Sequence, residues 1–392
     1  MKVVFLLGFS VVAQTLSGYH IRVLIAERSI SSDMTVKLST QKKFLVSDAL
    51  KPSRCDVIEK KTIMLCVHDA HIMVDGKRVL SSCLSVRVAE GDTLEFEGHA
   101  YHGEFFIVRA GDELLVINRV ELETYVASGL RWEIFPSWPA AALEAGAIAY
   151  RTYVVAHVRE RRAHYKKKQQ SDMLWYDIHC TTKNQVYKGT HDCSSIHSAV
   201  KKTCGLILTY NKKPIHALYD ICCGGNIPAQ RTGVDFKHCP YLARTSACTF
   251  CKNFKGYRWT TSCTLSHLKH QLRDVLERKL PITQCVVKKK DASGYVHTVM
   301  VTQKQKQVCI SGALLRRSLD LKSGDFTLKK DDHMLSISGK GYGHQLGLCQ
   351  QGARACAEAH WSAQRILHFY YPGTVIMKIM GEFSCRDIED IS

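Results

Sequence analysis

The sequence predicts an α+β protein, with β-rich domains around a central helix. Three observations lead there. Short apolar runs broken by Gly-Asp turns fill the first third of the chain. A single long alanine-rich helical pattern follows Pro139. Beyond it, strands and helices mix without regular βαβ alternation, and no repeat of 20 to 50 residues is visible.

The elements follow in order. Residues 1–18 hold one early lysine, then an apolar run from Val3 to Ala13, then small and polar residues. That run is too short for a comfortable membrane span, and it reads as a secretory signal peptide with no cysteine to accept a lipid. The expectation is an exported protein of the periplasm or cell envelope. Residues 19–100 read as an N-terminal β-rich region. It opens with "HIRVLIAE", and Asp75-Gly76 between apolar residues signals a hairpin.

Residues 101–235 form the central segment. Ser137 or Trp138 caps a helix whose first turn takes Pro139, where the missing N–H costs nothing. Leu143, Ala147, Tyr150, Val154 and Val158 keep helical spacing. The charge run "RERRAHYKKKQQSD" reads as a solvated helix end and loop. Strands are expected at "QVYKG", "GLILTY" and "PIHALYD". Residues 236–392 make a second α+β part. It contains an amphipathic helix over "TLSHLKHQLRDVLERKL", strands at "HTVMVTQ" and "KQVCISG", and a Gly-rich turn between a strand and two helical stretches.

Composition narrows the function. The chain has 392 residues, enough for two or three domains with their own cores. The net charge of +18 attracts polyanions: nucleic acid, anionic membrane or acidic polysaccharide. Export removes nucleic acid as a partner. Seventeen cysteines in an oxidising compartment predict some disulfides, and the odd count leaves at least one thiol over. Cys239, Cys248, Cys251 and Cys263 cluster beside His238, and "CTFC" has metal-ligand spacing. A second Cys-x-x-Cys pair is missing, so disulfides are favoured there over a structural zinc, and no cofactor is expected.

"GKGYGHQLGLCQQG" lacks the Lys-Ser/Thr ending of a Walker A loop and fails the dinucleotide spacing. Its glycines let the backbone approach something closely, with His344 and Gln350 as polar groups facing that space. Cys349 near His344 suggests a thiol nucleophile only weakly. Glu133 stands among Trp132, Ile134 and Phe135, and apolar surroundings raise a carboxyl's pKa toward general-acid duty.

Taken together, ordered blocks carry a family resemblance. They are "INRVELETYVASGLRWEIFPSWPAAALEAGAIAYRTY", "DIHCTTKNQVYKG", "GLILTYNKKPIHALYDICCGGN", "CPYL", "GKGYGHQLGLCQQGA" and "ILHFYYPGT". From roughly Tyr101 to Thr374 the chain resembles the SpoIID/LytB family of peptidoglycan-remodelling proteins. The resemblance implies an exported lytic transglycosylase that cuts the β-1,4 bond between N-acetylmuramic acid and N-acetylglucosamine and leaves a 1,6-anhydro end. It implies peptide-stripped glycan as substrate, an amidase as partner, and Glu133 as the catalytic acid. Arg151, Tyr153, Tyr219, His344 and Gln350 carry over as substrate-binding positions. The alternative it leaves is a non-catalytic, glycan-binding enhancer of an N-acetylmuramoyl-L-alanine amidase. Some members bind zinc around the "QVY" block. Here His179 and Cys180 are present, but Lys183 and Asn184 stand where a His-Cys pair is expected.

Overall fold

The computed structural model describes residues 19–51, 55–79, 81–89, 91–168, 174–277 and 279–379; the expected signal segment lies outside them. Among these residues the chain is mixed α+β, with seven α-helices and strands in six sheets. It divides into two compact units. The first comprises the described parts of Met1–Tyr125, Gln170–Thr190 and Ile379–Ser392, and the second Val126–Gln169 and His191–Lys378.

The first unit is built on two sheets. In the larger, the strand His20–Ser29 pairs antiparallel with Glu113–Glu121 and parallel with Ile178–His179. Leu114 to Asn118 are buried in unbroken succession, so both faces of that strand are covered. The expected hairpin is present between His71–Val74 and Lys77–Val79. Asp75 and Gly76 both take positive φ, 48° and 78°, as a two-residue primed turn requires.

"QVYKG" is not a strand. Side chains hold it instead of a ladder. Tyr187 donates its hydroxyl to Asn118 Oδ1 at 2.6 Å and stacks on Tyr125 at 5.0 Å between centroids. Gln185 Oε1 accepts from the Tyr125 hydroxyl at 3.1 Å.

Helix α1 (Leu122–Glu133) grows straight out of the strand Glu113–Glu121. Glu121 caps it, accepting from the Thr124 amide at 2.9 Å and the Thr124 hydroxyl at 3.2 Å. In the second unit, α2 (Ala140–Lys168) starts as expected behind Pro139, whose carbonyl accepts from the amides of Ala142 and Leu143. Leu143, Ala147, Tyr150, Val154 and Val158 are all buried, and the helix runs on through the charge run to Lys168. Around it lie α3 (Ser194–Lys202), the strand Leu206–Tyr210, and later α6 (Gln350–Glu358) and α7 (Ala363–Tyr370).

Two three-stranded sheets with α4 (Leu265–Gln271) and α5 (Gly312–Ser318) enclose a separate core of Trp259, Leu268, Leu272, Val299, Leu315, Phe326 and Ile337. The helix expected over "TLSHLKHQLRDVLERKL" stops at Gln271. The buried amide of Gln303 takes over the backbone beyond it. Its Oε1 accepts from the Glu277 amide at 2.9 Å, and its Nε2 donates to the carbonyls of Glu277 and Leu280.

Candidate functional site

Glu133 is the last residue of α1, so it closes one helix six residues before Pro139 rather than simply preceding the next. Glu133 lines a crevice together with Leu130, Ile134, Gly146, Tyr150, Tyr219, Leu348 and Gln350. The crevice holds about 10 Å³, room for about one water molecule. Two close approaches shape it. A Cβ at Gly129 of α1 would stand 1.9 Å from the Tyr150 hydroxyl, and one at Gly146 of α2 would stand 2.2 Å from Ile134 Cδ1. Hydrogen alone at these positions lets α1 and α2 meet.

The apolar wall is not the one the sequence suggested. Trp132 and Phe135 turn outward, 42% and 64% exposed, because a helix end cannot aim consecutive side chains at one point. Leu130, Ile134, Tyr150 and Leu348 supply the wall instead. Phe135 lines a neighbouring open cavity of about 430 Å³ with Trp138, Phe250, Phe254, Lys255, Gln351, Arg354 and Glu358. Arg354 lies 5.9 Å from the centroid of the Trp138 ring.

The other positions separate into three groups. Tyr219 and Gln350 share the crevice with Glu133. They are brought there by a two-residue parallel pairing, Tyr219 with Leu348 and Asp220 with Cys349. Tyr153 meets the edge of the Tyr219 ring at 6.4 Å. His344 sits one step further out, its Nδ1 accepting from the Leu346 amide at 3.1 Å and 4.0 Å from Asp220 Oδ2. Burial and then the Arg231 cation hold its pKa below the ordinary histidine value.

Arg151, expected as a substrate contact, is fully buried. Its guanidinium donates to the carbonyls of Leu206 at 3.1 Å, Ala147 at 3.4 Å and Val200 at 3.5 Å, tying α2 to α3 and the strand beside it. Its place is that of a brace.

Sequence reasoning missed Tyr150 as a wall of the crevice, although its helical period was plain. It also passed over Asp220. Burial holds that carboxyl well above the usual carboxylate range. Oδ2 accepts from the Gln345 amide, while Oδ1 has no partner among the described residues.

The cysteines differ from expectation as well. None among the described residues is in a disulfide. Cys248 and Cys251 do come together, but with Cys223 and Cys349 rather than Cys239 and Cys263. Cys239 Sγ accepts from the Tyr241 hydroxyl at 3.3 Å, and Cys263 packs on the Trp259 core. Around the "QVY" block, Asn184 Oδ1 accepts from the His179 amide at 3.0 Å.

These features define a mixed α+β protein that presents one helix-terminal carboxyl among tyrosine and amide side chains beside an aromatic cavity. Residues 110–210 match the SpoIID model, described as stage II sporulation protein. Residues 248–347 match a domain of unknown function. The chain is 28% identical over 326 residues to an uncharacterised protein of Brachyspira hyodysenteriae, covering 82% of this chain and 83% of that one. It is 26% identical over 275 residues to stage II sporulation protein D of Bacillus subtilis, covering 66% and 75%. It is 27% identical over 297 residues to the amidase enhancer of Bacillus subtilis, covering 62% of this chain and 39% of the enhancer. The chain is thus similar to SpoIID-family proteins, with the family's own model matched at residues 110–210.

Proposed function

We propose that this protein is a peptidoglycan lytic transglycosylase, exported to the periplasm or cell envelope, that cleaves peptide-stripped glycan. The observation that carries the reading is Glu133 in one crevice with Tyr219 and Gln350, beside a cavity rich in aromatic and cationic side chains.

Most glycosidases use two carboxyls. Here the muramic C6 hydroxyl is the nucleophile, so one suffices. Glu133 gives its proton to the glycosidic oxygen as the C1–O4 bond breaks. The C6 oxygen bonds to C1, and its proton returns to Glu133. No water is consumed, and the acid is restored. The crevice admits no sugar ring, so the glycan lies along the 430 Å³ cavity and only the scissile region reaches Glu133. Phe135 and Phe250 offer ring surface for sugars, and Lys255 and Arg354, the latter paired with Glu358 at 2.8 Å, offer charge for the lactyl carboxylates.

The test incubates purified protein with amidase-treated glycan strands and reads the products by mass. Anhydro-muramyl ends are expected from the parent and should fall at least about a hundredfold in Glu133→Gln, the scale of losing an acid–base group. Full activity in that variant would refute the role of Glu133.

The match to an amidase enhancer favours a second reading, a glycan binder that stimulates an N-acetylmuramoyl-L-alanine amidase. It predicts glycan retention without new ends, and stimulation indifferent to Glu133→Gln.

A further inference from the structure

We infer that Cys223, Cys248, Cys251 and Cys349 hold a single tetrahedral zinc ion, which fixes the wall of the Glu133 crevice. All four thiols are buried, and their sulfurs lie within 4.8 Å of one another. Cys251 Sγ stands 3.8 Å from Cys223 Sγ and 3.8 Å from Cys248 Sγ. A tetrahedron with Zn–S bonds of about 2.3 Å has edges of about 3.8 Å. A disulfide would need its sulfurs at about 2.05 Å, and closing one would strand the other two thiols. A polynuclear cluster interposes several atoms between its thiolates and needs them further apart.

The surroundings suit thiolates. The amides of Cys223 and Gly352 both point at Cys349 Sγ, each at 3.3 Å, and the Tyr370 hydroxyl lies 3.2 Å from Cys248 Sγ. Such outer contacts orient ligands and offset their charge. Gly352 leaves the space: a Cβ there would stand 2.9 Å from Cys248 Sγ. The ligands come from three places in the chain. Cys223 begins a turn with Gly224 and Gly225 at positive φ, Cys248 precedes the short 3-10 turn Phe250–Asn253 and Cys251 lies within it, and Cys349 caps α6.

This placement bears on the crevice. Cys349 immediately precedes Gln350, and Asp220 beside Tyr219 pairs with Cys349 itself. Zinc there would lock the short pairing that sets Tyr219 and Gln350 around Glu133. It would also keep the four sulfurs from pairing as disulfides in an oxidising compartment. The effect on the crevice rests on the proposed function; the metal site does not.

The test uses the full chain, produced with zinc and purified under reducing conditions. Elemental analysis should find about one zinc per chain. Exchange into Co²⁺ should give the intense thiolate-to-cobalt charge-transfer bands and tetrahedral d–d absorption of an S4 site. Cys251→Ser and Cys349→Ser should each keep less than about a tenth of the zinc after dialysis. Cys356→Ser, Cys239→Ser and Cys263→Ser should keep it all. The parent's cobalt spectrum stands even where a variant misfolds. Metal-free folded protein, iron in place of zinc, or a Cys248–Cys251 disulfide in peptide mapping would each overturn the assignment. Stoichiometric zinc in a parent protein that yields no anhydro-muramyl ends from stripped glycan would sink the glycan-cleaving reading and leave the metal site standing.

Discussion

The contact between Gly129 and Tyr150 gives the sharpest test of how the crevice is built. Alanine at Gly129 places a Cβ 1.9 Å from the Tyr150 hydroxyl and 2.5 Å from its ring carbon Cζ. Ordinary contact is about 3.5–4.0 Å, so the ring must retreat by about 1.5 Å. Tyr150 is 1% exposed, and the void nearest to hand is the crevice of about 10 Å³. Alanine gains about 0.5–1 kcal/mol in helix preference, against about 1–3 kcal/mol for overpacking. The net is a loss of about 1–2 kcal/mol, a fall in Tm of roughly 3–6 °C. Displacing the ring by this distance should also lower product formation, up to about a hundredfold. Differential scanning fluorimetry and product mass analysis read the two effects. In a Tyr150→Leu background, whose shorter side chain lacks the ring and hydroxyl, the same change should be neutral or stabilising. A Gly129→Ala protein as stable as the parent with Tyr150 in place would refute the packing argument.

Two more outcomes are expected. Gln303→Leu leaves the Glu277 amide and the carbonyls of Glu277 and Leu280 without their buried partner, and should cost about 2–4 kcal/mol, read as a lower urea midpoint. Asp291 is held at about 2: burial opposes this, but Ser293, His297 and the amides of Thr232 and Tyr295 all donate to it. Its folded pKa is depressed from about 3.9, so the stability it contributes is present above pH 4 and lost as pH falls toward 2. Asp291→Asn should flatten that acid limb in pH-dependent melting; an unchanged limb would count against the assignment.

How far the sequence revealed this depends on where each signal lies. The period of Leu143, Ala147, Tyr150, Val154 and Val158 survives as the buried face of α2, because helix spacing is local. The Asp75-Gly76 turn survives for the same reason. Helix α1 escaped because Glu121, not Ser, Thr, Asp or Asn, caps it, and no loop separates it from the strand before. "QVYKG" misled because Tyr187 and Gln185 are anchored by side chains far along the chain, at Asn118 and Tyr125. Glu133 stood out in its block, but its true neighbours Tyr150, Tyr219 and Gln350 come from three segments. The cysteine set could not be read from spacing, since Cys223 and Cys349 lie 126 residues apart.

That separation has a consequence in time. The pairing of Tyr219 with Leu348 closes a very long loop, and loop closure delays such contacts relative to local ones. The sheets around Trp259 and Phe326 lie within the intervening chain and draw on nearer neighbours. They can form while the partner strand Leu348–Cys349 is still being made. The last wall of the crevice therefore arrives only when residue 350 has been synthesised and docked. A nascent or truncated chain would carry Glu133 on a finished helix and still lack the Leu348 and Gln350 side of its crevice.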